Sequence, residues 1–248
     1  MKKNAQHKIL FSSLLVGLAV VFILNVSFGQ VAIPIKEVAK SIFGFGEVKD
    51  TWEYIIIHFR LPKAITAALV GIGLSISGLL MQTLFRNPLA GPYVLGLSSG
   101  SSLGVAFVIM GASILPAFLG EIFVSSLGIL FASILGSLFV LSLVFLVSKK
   151  LKDTLSILIV GLMFSSFTGA IVSVLSYFSS AEQLQKFTFW SLGNLGSLPW
   201  SSIWVLFLCH VVGLILIFIS IKPMNALLLG ENYARSIGIT IKRTRFII

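Results

Sequence analysis

The sequence predicts an all-α protein that crosses a membrane several times, and three observations carry this prediction. Of its 248 residues, 57% are apolar and only 10% are charged, whereas a soluble domain carries about 25% charged residues. The mean hydropathy is +1.06. The charged residues are bunched, which leaves long stretches without any. Despite a net charge of +10, this composition excludes a water-soluble domain, a disordered chain and a nucleic-acid-binding protein.

Six stretches contain no Asp, Glu, Lys or Arg, and each holds at least 22 residues. As a helix such a stretch measures about 33 Å, against about 30 Å for the hydrocarbon core of a bilayer. The stretches are residues 9–35, 64–85, 87–120, 122–148, 154–181 and 187–221. Backbone amides in lipid must bond within their own segment, and the alternating pattern of barrel strands is missing. Each stretch is therefore predicted to be one helical span.

We predict six complete spans, followed by the start of a seventh at the end of the chain. They are centred on residues 9–28, 64–83, 93–114, 123–147, 155–178 and 200–220. The first has a rival interpretation, because Lys2, Lys3 and Lys8 precede an apolar run as in a signal peptide. The apolar core of a signal peptide holds about 7 to 15 residues, and this run is longer. The stretch before the sixth span leaves room for an additional short helix.

The distribution of charge predicts the orientation of the spans. Alternating spans place the N-terminus, Arg86, the 149–153 loop and the residues from 222 onward on one side. That side holds 12 Lys and Arg against 2 acidic residues, and the other side holds 6 of each. The positive-inside rule makes the basic side cytoplasmic. Both ends of the chain are therefore predicted to be cytoplasmic.

The predicted spans contain no Asp, Glu, Lys or Arg, although ion-coupled transporters usually need ionisable groups at membrane depth. His210 is the candidate for a proton-binding group, but a lone histidine among apolar residues is more often packed or hydrogen-bonded. The sequence G-x-x-x-x-G-K followed by Ser or Thr is missing, so ATP hydrolysis by that route needs a separate chain. We predict no catalytic residue here. Cys209 is the single cysteine and indicates neither a disulfide nor a metal site.

Small residues recur at every fourth position of two spans and predict close helix packing. They are Gly73 and Ser77 in the second span, and Gly96, Gly100 and Gly104 in the third. An alternative is that the serine-rich run 98–102 breaks the third helix and lines a wet pathway. Between these two spans, Pro88 and Pro92 predict a cytoplasmic turn over residues 86–92.

Three segments together resemble the FecCD-type permeases of ATP-binding-cassette importers. They are RLPKAITAALVGIGLSISGLLMQTLFRNPLAGPYVLGLSSG at 60–100, FWSLGNLGSLPW at 189–200 and LLLGENYARSIGITIKR at 227–243. That family carries iron-siderophore, heme or cobalamin across the bacterial inner membrane. The resemblance implies a second permease copy, a cytoplasmic ATPase subunit that binds ATP and Mg²⁺, and a periplasmic or lipid-anchored binding protein. It implies no cofactor or metal on the chain itself.

The resemblance also implies site residues. The cytoplasmic stretch 225–241 matches the family's coupling loop, which sits in a groove of the ATPase. Its residues are Leu229, Gly230, Glu231, Ala234, Arg235 and Gly238. Glu231 and Arg235 are four residues apart, a spacing that supports a short helix. The rival interpretation is a basic segment lying on anionic lipid.

Arg60 and Lys63 match the basic pair of the family's R-L-P-R motif, which meets acidic residues of the binding protein. Lys63 replaces the usual arginine, so a bidentate contact is lost there; simple snorkelling to the interface is the rival interpretation. Asp153, Thr154 and Leu155 lie where relatives close the path on the cytoplasmic side. An ordinary basic inner loop is the alternative to this gate.

The implied function is a permease domain, residues 1–248, that moves a chelated iron compound, a siderophore or heme, into the cytoplasm by alternating access. The alternatives are a cobalamin importer of the same family, an ion-coupled secondary transporter, and a scaffold or inactive remnant. The family normally has ten spans, and this chain ends at Ile248 where a seventh is starting. We therefore expect either a fragment of a longer product or a truncated reading frame.

Overall fold

A computed structural model describes residues 2–111, 123–148, 154–196, 198–240 and 244. Helices and turns make up this part of the chain, and it contains no β-strand. The α-helices are α1 Lys2–Ser27, α2 Ile35–Phe43, α3 Asp50–Ile55, α4 Leu61–Phe85, α5 Leu97–Gly111, α6 Ser126–Ser148, α7 Thr154–Phe178, α8 Ala181–Leu192, α9 Trp200–Leu229 and α10 Glu231–Ser236. A π-helical turn, Ile56–Arg60, joins α3 to α4, and a 3-10 turn, Pro92–Leu95, precedes α5. The predicted all-α class is confirmed.

Among the described residues, five helices are long and apolar enough to cross a bilayer, which confirms a polytopic membrane protein. They cover residues 6–27, 50–85, 126–148, 156–178 and 200–229. These helices correspond to the first, second, fourth, fifth and sixth predicted spans. Their outward side chains are large and apolar, as at Phe139 and Phe218, which suits a lipid environment and not water.

The third predicted span differs from the expectation. Its α-helix, α5, has 15 residues, and the rest of that span, 112–114, lies outside the described residues. The serine-rich run 98–102 is helical. The interruption comes earlier, at Gly96, whose φ of +81° links the 3-10 turn to α5. Only glycine adopts that backbone conformation without steric cost.

The chain divides into two compact units, of which the first comprises residues 1–73 and 194–215. Its core joins the end of α1, α2 and the start of α4, through Val26, Ile33, Val38, Ile56 and Ala64. The indole Nε1 of Trp200 donates to the carbonyl of Ile57 at 3.1 Å. Gly44, with φ +70°, ends the short amphipathic helix α2. The first unit is therefore organised around the π-helical turn.

The second unit comprises residues 74–193 and 216–248. Helices α5, α6 and α7 pack together, and Phe187 of α8 is buried against α5 with Val105, Ala106, Ile109 and Met110. Helix α8 is the additional short helix that the sequence left room for. Ser180 and Gln183 form its capping box, and Lys186 donates to Glu182 at 2.8 Å. This bond lowers the pKa of the Glu182 carboxyl. The single permease domain over 1–248 stays a prediction.

Candidate functional site

The stretch predicted as a coupling loop begins inside a helix. Helix α9 runs to Leu229, so residues 225–229 form its last turn. At 30 residues it is about 45 Å long, well beyond the thickness of about 30 Å that a hydrocarbon core requires. The exposed Lys222 lies toward its C-terminal end. We therefore place the last turns of α9 outside the hydrocarbon region.

Two glycines delimit the segment that follows, residues 230–238, which we name the coupling segment. Gly230 has φ +127° and ψ 149°, and Gly238 has φ +84°; side chains with a Cβ are strained at both. Between them α10 forms fewer than two turns. Its Ala234 is 0% exposed and packs with Ala226 and Leu227 of α9 and with Ile239. The coupling segment is thus folded back against the end of its own spanning helix.

The coupling segment presents a mixed apolar and cationic surface. Tyr233 and Ile237 are 47% and 52% exposed, and Arg235 is exposed as well. Leu229, directly before the segment, is 70% exposed. Glu231 opens α10, so the backbones of Glu231 and Arg235 lie one turn apart as the spacing predicts. Tyr233 and Ile237 were not singled out from the sequence. Ordinary apolar residues in so apolar a chain gave no signal that they would be exposed here.

The turn after α4 contacts the base of the coupling segment. Arg86 has a left-handed backbone, with φ +47°, and its guanidinium donates to the carbonyl oxygen of Leu227. The side-chain oxygen of Asn87 accepts from the Leu89 amide at 2.9 Å, and Ala90 is buried with α4 and α7. The predicted turn over 86–92 is therefore present. Its side-chain link to α9 had no counterpart in the sequence analysis.

The two cations predicted to dock the binding protein lie in different surroundings. Arg60 ends the π-helical turn and is only 8% exposed. Its guanidinium donates to the carbonyls of Val26 at 3.0 Å and Ser27 at 2.6 Å, and to that of Val31. These include carbonyls that the end of α1 leaves without helical partners. Lys63, less than one turn later, is exposed.

Helices α5 and α6 approach each other backbone to backbone at the glycines of the predicted strip. A Cβ at Gly104 would lie 2.1 Å from the Ala132 carbonyl oxygen, and a Cβ at Gly100 would lie 2.6 Å from that of Gly136. At Gly96 it would lie 2.9 Å from Val140 Cγ1. The partner glycine Gly136 was not singled out from the sequence, although it recurs at every fourth position with Gly128 and Ala132, and that spacing could have indicated it.

Gly73 and Ser77 serve different contacts. A Cβ at Gly73 would lie 2.8 Å from Nε2 of His210, and that nitrogen is 2.8 Å from the Leu69 carbonyl oxygen. The other ring nitrogen is 2.8 Å from the Leu206 carbonyl oxygen. His210 is therefore hydrogen-bonded and packed against α4. Ser77 donates within α4, to the Leu74 carbonyl at 3.2 Å.

The predicted cytoplasmic gate is described only in part. Thr154 and Leu155 are the first residues of α7, and Asp153 lies outside the described residues. The predicted start of a seventh span is also described only in part, because Thr244 is the one described residue of 244–248. Both stay predictions.

Comparisons with known proteins identify relatives of the chain. A model of the FecCD transport family matches residues 17–248. The hemin transport system permease protein HmuU of Yersinia pestis is 30% identical over 99% of this chain and 71% of that protein. The vitamin B12 import system permease protein BtuC of Salmonella arizonae is 33% identical over 76% of this chain and 55% of that protein.

A solved structure has the same fold. It is an inward-facing conformation of a transporter assigned to the metal-chelate type of ABC transporters. The TM-score is 0.78 and the sequence identity 28%, over 97% of this chain and 70% of the other.

Proposed function

The chain belongs to the FecCD transport family, and from this premise we propose that it is the membrane-embedded permease subunit of an ATP-binding-cassette importer. It lies in the bacterial cytoplasmic membrane with its N-terminus in the cytoplasm. The observation that carries the proposal is the coupling segment. This segment is folded and packs against the end of a long helix through the buried Ala234. Its exposed residues, Tyr233, Arg235 and Ile237, suit a groove of a partner protein.

In this proposal the chemistry belongs to the partner. The ATPase subunit binds ATP and Mg²⁺ and hydrolyses the nucleotide, and this chain supplies no catalytic residue. Closure of the ATPase dimer moves the coupling segment, and the helices then switch the path between two permease copies from one side to the other. The mechanism is alternating access. Its energy comes from ATP on the partner subunit and not from an ion gradient.

A periplasmic or lipid-anchored binding protein delivers the cargo. Lys63 is the exposed cation for its acidic residues, and steering between opposite charges sets the docking register. Arg60 contributes by holding the π-helical turn from which α4 and Lys63 continue. The gate at Asp153, Thr154 and Leu155 closes the cytoplasmic end of the path.

We assign a chelated iron compound, a siderophore or heme, as the cargo. The hemin permease and the metal-chelate transporter among the relatives support this assignment. The vitamin B12 permease supports cobalamin as the second candidate. Uptake into vesicles of labelled ferric siderophore, heme and cobalamin, each with its own binding protein, separates these cargoes. Uptake that survives ATP depletion and collapses with an ion gradient would instead identify a secondary transporter.

The coupling role is tested in the full-length permease, expressed with its ATPase. Replacing Glu231 and Arg235 with alanine should leave membrane insertion intact and uncouple ATP hydrolysis from uptake. We expect the uptake per ATP hydrolysed to fall about tenfold or more, within the range of coupling free energies between sites. Unchanged uptake in this double variant would show that the ATPase contact lies elsewhere.

A matched control removes an acid and a base at the same spacing from another helix. Glu182 and Lys186 form an i,i+4 ion pair on α8, so their double alanine variant deletes the same charges. It should retain the uptake per ATP hydrolysed of the unchanged permease. A similar fall of this ratio in the control would reveal general damage to the permease.

A further inference from the structure

One side chain joins two parts of the second unit that are 141 residues apart in sequence. The guanidinium of Arg86, in the turn after α4, donates to the backbone carbonyl of Leu227, in the last turn of α9. The side chain of Leu227 is buried with Ala226 and Ala234. The hydrogen bond therefore reaches the base of the coupling segment.

The acceptor is suited to a cation. The last four carbonyls of a helix lack intrahelical partners and carry the negative end of the helix dipole. The Leu227 carbonyl also accepts from the amide of Gly230 at 3.2 Å. Arg86 thus holds the carbonyl that caps α9 just before the chain turns at Gly230.

The donor is held as firmly on its own side. The amide of Asn87 donates to the Gln82 carbonyl at 3.1 Å, and that of Ala90 to the Asn87 carbonyl at 3.1 Å. Ala90 is buried with Met81, Phe85 and Leu158. The left-handed backbone of Arg86 is uncommon outside glycine, and here it ends α4. Contacts therefore connect Leu227, through Arg86 and its turn, to α4 and, through Leu158, to α7.

We propose that Arg86 is a positioning residue that transmits movement of the coupling segment to the turn after α4. This inference rests on the proposed function for the source of the movement. A plain topological role for Arg86, as one more cytoplasmic cation, predicts that any cation there suffices. A positioning role requires the reach and the planar donors of the guanidinium.

The test uses the full-length permease in nanodiscs, with spin labels at Leu89 and Leu229. Both residues are exposed, at 82% and 70%, and both belong to the second unit. Cys209 is first replaced by serine. We expect a narrow distance distribution in the parent and a broad one in Arg86→Ala. The control Lys222→Ala removes an exposed cation from the same end of α9 and should leave the distribution narrow.

Transport supplies the second readout. Arg86→Ala should retain the ATPase on purification while the uptake per ATP hydrolysed falls about tenfold, a typical coupling effect. Arg86→Lys keeps the charge and loses the planar donors. Its uptake per ATP hydrolysed should lie between those of the parent and Arg86→Ala. Equal results for Arg86→Lys and the parent in both readouts would reduce Arg86 to its charge and overturn the inference. An unchanged distance distribution in Arg86→Ala would overturn it as well.

The two proposals fail separately. If no ATPase accompanies the unchanged permease, the proposed function fails, while the spin-label distances still test the link between Arg86 and Leu227. If the ATPase binds and drives uptake with equal efficiency in Arg86→Ala, only the inference about Arg86 fails.

Discussion

The charge of Arg60 alone does not predict its role, because that role depends on the groups that surround it. In the sequence Arg60 is one of two cations at the outer end of a span, for which docking of the binding protein is predicted and snorkelling to the interface is the rival interpretation. In the structure its guanidinium satisfies carbonyls at and beyond the end of α1. A Cβ at Gly29 would lie 3.0 Å from its Nη2 atom, so the small residue leaves room for it. The pairing links residues about thirty positions apart, and no local pattern reveals it.

Separate substitutions of Arg60 and Lys63 should therefore affect different properties. Arg60→Met keeps an unbranched side chain but leaves the carbonyls without a donor, and we expect a loss of stability of about 2 kcal/mol. Lys63→Met should leave stability unchanged and slow the association of the binding protein at low salt. Unfolding in detergent measures the first effect, and binding kinetics at several salt concentrations measure the second. Equal stability of the two variants would contradict the distinction.

The contact between His210 and Gly73 gives a second prediction at the scale of single residues. Gly73→Ala places a methyl group 2.8 Å from Nε2 and should displace the imidazole from the Leu69 carbonyl. Hydrogen bonds between membrane helices contribute about 0.6 kcal/mol on average, so we expect a loss of about that size or somewhat more. In a His210→Ala background the alanine at 73 should cost less, because the space is free.

A thermodynamic cycle of the two single variants and the double variant measures this coupling. Gly71→Ala is the matched control, since a Cβ there meets nothing within 4 Å. Additive effects of the Gly73 and His210 substitutions would show that the two residues do not press on each other.

At the scale of the helix, gaps between charges locate the spans well but misplace their ends. Helix α9 continues to Leu229 although the charge-free stretch stops before Lys222, because a lysine near a helix end extends its ammonium group to water. The second span likewise joins α3, the π-helical turn and α4 into one helix from Asp50. The composition of the chain changes at the lipid boundary, but the helical hydrogen bonds continue past it.

The α5–α6 contact gives a prediction at this scale. Gly104→Ala forces a Cβ to within 2.1 Å of the Ala132 carbonyl oxygen, so the two backbones must separate. Overpacking of this kind costs about 1 to 3 kcal/mol. Gly169→Ala on α7 meets nothing within 4 Å and should be neutral or stabilising by up to about 1 kcal/mol. Thermal unfolding of both variants in the same detergent makes the comparison, and equal losses would contradict the close approach.

For the whole molecule, the sequence predicted the class, five of the six spans and the close packing at Gly100 and Gly104, but not which helix those glycines meet. In a soluble protein the apolar face of a helix marks the core, whereas in lipid the outward face is equally apolar. Gly136 and Gly161 were not singled out, although each belongs to a run of small residues at every fourth position. A Cβ at Gly161 would lie 2.3 Å from the Val94 carbonyl oxygen. The coupling residues came from family resemblance, and the Arg86 to Leu227 contact required the structure.

The orientation of the chain across the membrane is the last prediction, and the placement of the ATPase depends on it. The basic side carries 12 Lys and Arg against 2 acidic residues, so the coupling segment should be cytoplasmic and the segment around Phe45 periplasmic. In a Cys209→Ser background, single cysteines at Ser236 and Phe45 test both positions, since both residues are exposed.

A membrane-impermeant maleimide should label cysteine at Phe45 in intact spheroplasts and cysteine at Ser236 only in inside-out vesicles. The parent protein with its unsubstituted Cys209 serves as the control. This cysteine is exposed at the protein surface but lies within the apolar stretch of α9, so lipid should protect it from the maleimide in both preparations. Labelling of Ser236→Cys from outside would place the coupling segment in the periplasm. The ATPase is cytoplasmic in this class of importer, so it could not then contact the coupling segment. The proposed coupling through Gly230 and α9 would be wrong.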